Sequence, residues 1–560
     1  MFLVENIRLI LGTLYLVAAM INHIDDTDET YGYYEPLHYL LYGSGMQTWE
    51  YDPSNAIRSY AFLLPLYIFG LVVKPFAPVK IMMFFNIRML LGQFMAIAQT
   101  RFLRSIEVVL GPGTAHFTAV FMLASPGLFL CSTSFLPSAV GCSLVMYASS
   151  FLLNGEYVWT VFMGCLAVMC TGWPFVGVIF LPFGIQILQK SYSEAGMSRV
   201  INVSLYSIIV VFAVFLFVFA VDSYYYGRKS FSPLNILLYN AITGSGDELY
   251  GIEPASYYVK NLILTVGFAF PLGLLGSSLC LLRLVLPSLR NKENKNSLSI
   301  ELTLFSSAFL WIALLFSRPH KEERFMYPVY PLMCLLAALF SQFITDSLTG
   351  AIVSRSPEEI KQKREKVIRN TAYSGCLMIF ATIAFCRIFA LKNNYGGYIK
   401  LWTAAEPIFS KASLRSAVPI RICMGSDWYT FPSHFFLPPN TQLDYFNDGF
   451  KGILPQHFAA ENGTFCKPIQ PFNGLNKEET SRYVELETCD YIVRLGGDQS
   501  DGDLSDNERN IKTRFISVMS TRIIDPSRSH VISRIIAIPG FKWLDSHNVY
   551  REYSLFKNKK

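Results

Sequence analysis

The chain has 560 residues, of which 52% are hydrophobic, 15% are aromatic and only 16% are charged. Ordinary soluble domains carry about 25% charged residues, so this composition excludes a protein that is surrounded by water on all sides. The net charge of +6 comes from short basic loops between apolar runs. No basic stretch with interleaved aromatic residues indicates nucleic-acid binding.

Apolar runs recur from residue 4 to about residue 391, and several reach the roughly 20 residues that cross a bilayer as a helix. The pattern predicts an all-α polytopic membrane protein with about eleven transmembrane helices. In chain order they lie near 4–22, 59–77, 80–104, 113–130, 137–153, 157–188, 200–221, 259–287, 299–317, 326–345 and 372–391. The run 157–188 contains Gly172-Trp173-Pro174 and is either one kinked helix or two half-spans.

Loops rich in lysine and arginine predict the orientation, because such loops stay on the cytoplasmic side. The clearest examples are 189–199, 288–296 and 354–370. We therefore expect three loops on the opposite, lumenal side: 23–58, 222–258 and 318–325. With Met1 in the cytoplasm, an odd number of spans also places the C-terminal region in the lumen.

The predicted domain boundary separates a transmembrane domain, 1–392, from a hydrophilic lumenal domain, 393–560. Short apolar runs in the second domain alternate with Gly, Pro, Asn and Asp, which is typical of a small α+β domain. Asn462 begins an Asn-Gly-Thr sequon and is a candidate glycosylation site. The domain has three cysteines and therefore at most one internal disulfide: Cys423, Cys466 and Cys489.

The first candidate functional cluster follows the first predicted span. Asp25, Asp26, Asp28 and Glu29 place four carboxylates within five residues. The loop after them is too aromatic to be a plain solvated linker. A carboxylate beside an aromatic-lined cleft at the bilayer surface is suited to act as general base toward a sugar hydroxyl. The alternative is a solvated acidic turn.

Asp26-Thr27-Asp28 also matches the DxD pattern, which holds a divalent metal on a nucleotide-sugar. The pattern is short, and nothing in the sequence indicates a doubly wound nucleotide-binding sheet. We therefore expect no metal and no cofactor here.

The second candidate cluster contains His320, Lys321 and Arg324, in a loop predicted on the same face as the acidic cluster. Lys321 and Arg324 are suited to hold a phosphate, and arginine can do so with two parallel hydrogen bonds. Arg58, at the start of the second span, is suited to the same role. The alternative is that the charges of segment 320–324 pair with one another, and the sequence leaves both interpretations open.

Taken together, these segments resemble glycosyltransferase family 22, the eukaryotic mannosyltransferases that use dolichyl phosphate mannose. HKEERFMYPVYPL at 320–332 is similar to the family signature. Two further segments are similar to the family member that forms α-1,2 linkages during N-glycan precursor assembly: DTDETYGYYEPLHYLLYGSGMQTWEY at 26–51 and CMGSDWYTFPSHFFLP at 423–438. Shorter similar segments are GWPF at 172–175, DSYYYG at 222–227 and LYGIEP at 249–254.

The resemblance implies a GT-C fold with its active site at the lumenal face of the endoplasmic reticulum membrane. It implies mannose transfer with inversion from dolichyl phosphate mannose to the dolichol-diphosphate-linked N-glycan precursor, in two separate additions, without a required metal. The family's acidic pair falls on Asp28, expected as the base, and Glu29, expected as its partner. The residues expected to contact donor or acceptor are Glu35, Trp49, Glu50, Arg58, Tyr250, Glu253, His320, Lys321 and Arg324.

Three other functions compete with this one. A GPI-anchor mannosyltransferase of the same family should lack the segment at 423–438. A lipid or sugar transporter should carry charged residues inside its spans, facing a path, and Arg88 is the clearest intramembrane charge. A catalytically silent scaffold does not need the intact acidic cluster.

Overall fold

The computed structural model describes residues 6–242, 251–289, 297–354, 357–459, 468–473, 476–496 and 506–559. Tyr250, Asn462 and Cys466 lie outside these residues. By its internal contacts the chain divides into two compact units. Unit 1 comprises Met1–Ala19, Met89–Ala220 and Ser232–Phe385, and unit 2 comprises Met20–Arg88, Val221–Phe231 and Cys386–Lys560.

Long apolar helices dominate the described chain and confirm the prediction of a polytopic membrane protein. Five are long and apolar enough to cross a bilayer: Lys80–Leu110, Pro174–Tyr226, Ser297–Ser317, Glu323–Val353 and Glu359–Tyr395. A sixth candidate is a bent pair, Ala255–Thr265 and Ala269–Val285. Four shorter apolar helices are Ile7–Ile21, Tyr60–Phe76, Pro137–Leu153 and Tyr157–Cys170.

Shorter helices complete the helical part of the described residues. They are Glu35–Tyr42, Pro112–Leu123, Pro126–Cys131, Ser232–Ile242, Gly397–Ser413, Asp506–Arg514, Val531–Ile535 and Lys542–Ser546.

Two of the predicted spans are broken. The run 113–130 is divided between helices Pro112–Leu123 and Pro126–Cys131. Ser125 begins the second helix, because its hydroxyl accepts the N–H of Leu128 and a proline follows at the first helical position. The run 259–287 is bent by 107° between its two helices, where Gly267 has a φ of +58°. Glycine adopts this left-handed conformation without steric cost.

The run 157–188 forms two helices, which is the second of the two alternatives left open by its sequence. The helix that begins at Tyr157 ends at Cys170, and a new one begins at Pro174. That helix continues to Tyr226, with a break at Ala195 and Gly196. The connection predicted at 189–199 is therefore shorter than expected: only Ala195 and Gly196 leave helical geometry, and the rest of this polar segment extends the two flanking helices.

Two other predicted loops also contain helix. Helix Ser232–Ile242 lies within the loop predicted at 222–258, and helix Glu358–Tyr395 begins within the loop predicted at 354–370. Hydropathy identifies residues that avoid water, whereas lysine, glutamate and arginine form helices readily outside the bilayer.

A five-stranded sheet forms the C-terminal part of unit 2 and confirms the predicted small α+β domain. Its strands are β1 (Ile420–Met424), β2 (Thr441–Tyr445), β3 (Tyr491–Leu495), β4 (Phe515–Ile524) and β5 (Tyr550–Asn558). The order across the sheet is β2-β1-β3-β5-β4. β1 runs parallel to β2 and β3, whereas β5 runs antiparallel to β3 and β4.

A disulfide between Cys423 and Cys489 crosslinks the sheet, with Cα atoms 5.9 Å apart. Cys423 lies in β1, and Cys489 lies two residues before the start of β3. Both side chains are completely buried and contribute to a small apolar core with Ile492, Phe446 and Phe515. This is the one disulfide that three cysteines allow.

We expect the double substitution Cys423→Ser/Cys489→Ser to destabilise the C-terminal region by about 4 kcal/mol, because the crosslink closes a loop of 66 residues. The measurement is the thermal midpoint Tm of the purified protein in detergent, with and without reductant. Reductant should lower the Tm of the wild type and leave that of the double variant unchanged. An equal response of both proteins to reductant would contradict the expected role of the crosslink.

Candidate active site

The acidic segment folds as one irregular helical element within unit 2. Asp26 caps its start, because its Oδ1 accepts the N–H of Asp28 at 2.8 Å. A single helical turn, Thr27–Glu29, leads into a π-helical turn, Thr30–Tyr34, and then into helix Glu35–Tyr42. Turns of π-helix are rare and are frequently found at functional sites.

Arg58 is the last residue of the predicted lumenal loop 23–58, and its side chain bonds back to this acidic segment. Its Nη2 lies 2.7 Å from Asp28 Oδ2 and 2.7 Å from Glu50 Oε1. Its Nη1 donates to the hydroxyl of Tyr33, and its Cζ lies 5.2 Å from the centre of the Tyr33 ring. One guanidinium group therefore holds two carboxylates and a phenol together.

The charge of Arg58 is kept in place by its neighbours. Burial acts to lower the pKa of this guanidinium, but the Glu50 carboxylate, the Tyr33 phenol and the Asp28 carboxylate outweigh it and raise the pKa well above its ordinary value. The backbone carbonyl of Arg58 also accepts a hydrogen bond from Tyr226 at 2.6 Å. Arg58 is thus a permanently charged, well-supported centre of the loop.

Exposure distinguishes the two carboxylates of the predicted acidic pair. The side chain of Asp28 is 34% exposed, whereas Glu29 is only 1% exposed. Burial raises the pKa of Tyr34 well above its ordinary value, and the Glu29 carboxylate raises it further, so Glu29 faces the interior. Only Asp28 of this pair presents its carboxylate at an accessible surface.

Asp222 is a completely buried carboxylate that bonds the two residues after Arg58. Its Oδ1 accepts the hydroxyl of Ser59 and the N–H of Tyr60, both at 2.9 Å. These two bonds anchor the start of helix Tyr60–Val73. Asp222 was not among the candidate residues, although it opens the segment DSYYYG and its position there was the available signal.

Glu35 anchors the acidic segment to the C-terminal region. Its carboxylate is completely buried and accepts the N–H of His434 at 2.7 Å and the N–H of Met46 at 2.8 Å. Its Oε2 also lies 2.5 Å from His434 Nδ1. Glu35 therefore has a structural role, since it links the acidic segment to His434. His434 was missed by the sequence analysis, although it lies in the segment 423–438.

Arg88 has a similar anchoring position. Its guanidinium is completely buried and donates to the carbonyl oxygens of Asn22 at 2.7 Å and His23 at 3.0 Å. These carbonyls follow helix Ile7–Ile21, and a cation at such an end stabilises the exposed carbonyl groups. A buried, doubly bonded arginine does not indicate a transport path.

The second candidate cluster belongs to unit 1. His320 Nε2 lies 3.0 Å from Glu322 Oε1, and Arg324 Nε pairs with Glu322 Oε2. Lys321 donates to the carbonyl of Arg318. The structure therefore contains the internal ion pairs that the alternative interpretation of this loop describes. Glu253 lies beside it, since its N–H donates to the Pro319 carbonyl at 3.1 Å.

The sequence candidates thus fall into three groups. Asp28, Glu50 and Arg58 come together, with Trp49 adjacent and half-buried. Glu35 turns away toward His434. The remaining described candidates form the unit 1 cluster: Glu253, His320, Lys321 and Arg324.

Comparison with known proteins identifies the family to which this chain belongs. The model of the Alg9-like mannosyltransferase family matches residues 7–438. The chain belongs to this family. It is 32% identical over 557 residues to alpha-1,2-mannosyltransferase ALG9 of Mus musculus, an alignment that covers 97% of this chain and 87% of the mouse protein. It is 31% identical over 531 residues to ALG9 of Saccharomyces cerevisiae, covering 92% and 88% of the two chains.

The fold has a counterpart among solved structures. ArnT from Cupriavidus metallidurans in the apo state is similar with a TM-score of 0.50 at 12% identity, covering 80% of this chain and 86% of that chain. The expected GT-C fold is confirmed. The family also confirms that the chain is a mannosyltransferase.

We expect Glu35→Gln to destabilise unit 2 by about 3–5 kcal/mol, because removing one member of a buried pair leaves its partner unsatisfied. Burial raises the pKa of Glu35, but the His434 ring and two backbone N–H groups lower it by more, so the net pKa lies below its ordinary value. The ionised group therefore stabilises the fold above the ordinary carboxyl pKa, and this contribution is lost as the pH falls below it.

The test is Tm as a function of pH for both proteins. The wild type should lose more stability than Glu35→Gln when the pH falls from about 5 to about 3, below the ordinary carboxyl pKa. Identical pH profiles would show that the Glu35–His434 pair does not carry the expected contribution.

Proposed function

We propose that the chain is a mannosyltransferase of the endoplasmic reticulum that forms α-1,2 linkages on the dolichol-diphosphate-linked N-glycan precursor, with dolichyl phosphate mannose as donor. Family membership and the resemblance to ALG9 proteins over nearly the whole chain support it. The carrying observation is local: Asp28 is the accessible carboxylate of the acidic pair, Glu29 is buried, and the mostly buried Arg58 orients Asp28.

Asp28 is the proposed general base. It accepts the proton of the acceptor mannose 2-hydroxyl while that oxygen attacks the anomeric carbon of the donor mannose. The bond between this carbon and the phosphate oxygen breaks, and dolichyl phosphate leaves with the electron pair. Attack from the opposite side converts a β-linked donor into an α-linked product. Because phosphate is a competent leaving group, positioning and electrostatics supply most of the catalysis.

Glu29 and Arg58 are the proposed positioning residues. Arg58 fixes the direction of the Asp28 carboxylate through a 2.7 Å bond. Glu29 is buried directly after Asp28 and stabilises the turn that carries it. Trp49 and Glu50, on the same loop, are proposed to contact the acceptor or the donor sugar.

The cations of the unit 1 cluster are the proposed donor-phosphate ligands. Glu322 now pairs with both His320 and Arg324. A phosphate would compete with Glu322 for the Arg324 guanidinium, which can bind a phosphate through two parallel hydrogen bonds. Lys321 would add a second permanent positive charge beside that of Arg324.

The lumen is the proposed location of the acidic segment and the C-terminal region. The Cys423–Cys489 disulfide supports this location, because disulfides persist in oxidising compartments such as the lumen of the endoplasmic reticulum. Together with helices that cross the membrane, it supports a multi-pass protein with both parts on the lumenal side.

Asp28→Asn should lower single-turnover mannose transfer by about 10²- to 10⁴-fold, because a positioned base contributes that much. Glu29→Gln should cause a smaller loss. Asp26→Asn is the matched control, since asparagine caps a helix as well as aspartate does and should retain most activity. Transfer is measured from dolichyl phosphate mannose to a purified lipid-linked acceptor. Near wild-type transfer by Asp28→Asn would refute its role as the base.

Arg324→Lys should raise the KM for dolichyl phosphate mannose while leaving the acceptor KM unchanged, because lysine keeps the charge but loses the two-pronged geometry. Steady-state kinetics with each substrate varied in turn, alongside the Tm of the variant, measure this. A lower Tm with an unchanged donor KM would support the purely structural ion-pair interpretation.

Protease added to sealed microsomes should leave the C-terminal region intact, and Asn462 should carry a glycan that glycosidase removes. Detergent should abolish the protection. Cleavage of the C-terminal region in sealed microsomes would overturn the proposed topology.

A further inference from the structure

Unit 2 contains a large open groove that the acidic site does not use. Its volume is about 1070 Å³, at the upper limit of the roughly 300–1,000 Å³ typical of ligand pockets. A pocket of this size accommodates much more than the single sugar of a mannosyl phosphate.

The groove lies where apolar helices end. Met20 and Asn22 line it at the C-terminal end of helix Ile7–Ile21, and Lys392 lines it in the last turn of helix Glu358–Tyr395. Phe85, near the start of helix Lys80–Leu110, adds an aromatic side chain. One side of the groove therefore continues the surface of membrane-spanning segments.

The lining of the groove is also cationic. Lys392, Lys400 and Arg522 line it, against a single carboxylate, Asp545. Within the described part of the chain these three cations form no ion pair, and the Arg522 guanidinium only lies 5.6 Å from the centre of the Tyr550 ring. Unpaired cations beside a membrane-spanning surface fit an anionic group that is attached to a lipid.

Hydroxyl and amide groups form the remainder of the polar lining, and these are the groups that bind sugar hydroxyls. They belong to Asn22, Asn393, Thr403, Ser546, Asn548 and Tyr550. The groove thus combines an apolar edge, three cations and sugar-binding groups in one continuous surface.

We propose that this groove binds the lipid-linked acceptor at its diphosphate and the sugars next to it. Lys392, Lys400 and Arg522 hold the diphosphate, and the apolar edge contacts the first part of the polyprenyl chain. This inference rests on the proposed function, because it assigns a place to the acceptor of that reaction. Asn22 lines the groove and lies three residues before Asp25, so the groove adjoins the acidic segment in the chain.

The test is direct binding to the full-length protein in lipid nanodiscs, without any transfer step. The double variant Lys392→Gln/Lys400→Gln is compared with the control Lys411→Gln/Arg415→Gln, which removes the same charge from the end of helix Gly397–Ser413 and the residues just after it. All four side chains are exposed, so folding should be unaffected. Binding of a dolichyl diphosphate oligosaccharide should weaken at least about tenfold in the double variant only.

Three further probes identify the ligand. The same oligosaccharide released from its lipid, and dolichyl phosphate mannose, should bind the double variant and the wild type equally. Phosphatidylserine added in excess should not displace the acceptor. Displacement by phosphatidylserine would assign the groove to anionic phospholipid and overturn the proposal, as would unchanged acceptor binding in the double variant.

Photo-crosslinking provides a measurement that does not depend on any variant. An acceptor with a photoreactive group next to its diphosphate should label the wild-type chain within residues 392–404, and labelling confined to other segments would refute the proposal. Because neither experiment involves catalysis, they still test the groove if the wild type transfers no mannose. That result would refute the proposed function instead.

Discussion

The guanidinium of Arg58 is almost buried, and a charge removed from water is stable only when it is paired. Its side chain is 14% exposed and contacts the carboxylates of both Asp28 and Glu50. The salt bridge between Arg58 and Asp28 therefore holds the two ends of this loop together. The helix that begins at Tyr60 follows immediately, and Asp222 fixes its start. The direction of the accessible carboxylate therefore depends on one cation and its partners.

The C-terminal region is part of the same unit as this loop. Besides the Glu35–His434 pair, the hydroxyl of Tyr31 donates to the carbonyl of Trp428 at 3.0 Å, and Thr30 donates to that of Pro432 at 3.2 Å. All these partners lie in the segment that follows β1. The segment between β1 and β2 thus holds the helical element that carries Asp28. A domain that looks like an appendage in sequence is a structural support of the candidate site.

Hydropathy predicted the membrane-spanning character, and the composition of residues 393–560 predicted the α+β domain, because both depend on local composition. Breaks inside helices were harder to predict, since the one at Gly267 depends on a single backbone conformation. The polar start of helix Glu358–Tyr395 was missed because hydropathy does not detect charged helices, and the apolar run of Ser232–Ile242 is too short to predict a span. The acidic pair was predicted from its motif, which does not indicate that Asp28 is accessible and Glu29 is buried.

Long-range partners were not accessible from one sequence. Arg58 was expected to hold a phosphate, and its partnership with Asp28 depends on how thirty residues of loop fold back. The bond between Glu35 and His434 joins residues 399 positions apart. Neither residue belongs to a periodic pattern that would predict this contact: Glu35 was a candidate only because it lies in a family-like segment, and His434 was missed.

The π-helical turn Thr30–Tyr34 has a consequence for how this site can change in evolution. Its closing bond runs from the N–H of Glu35 to the carbonyl of Thr30, one residue farther than in an α-helix. Loss of one residue here would restore ordinary helix and turn Glu35 by about 100° relative to Asp28. The carboxylates of Asp28 and Glu35 would then no longer face their separate partners, Arg58 and His434. Substitutions can be absorbed within this segment, but its length is fixed, so relatives that diverge in sequence should still align here without a gap.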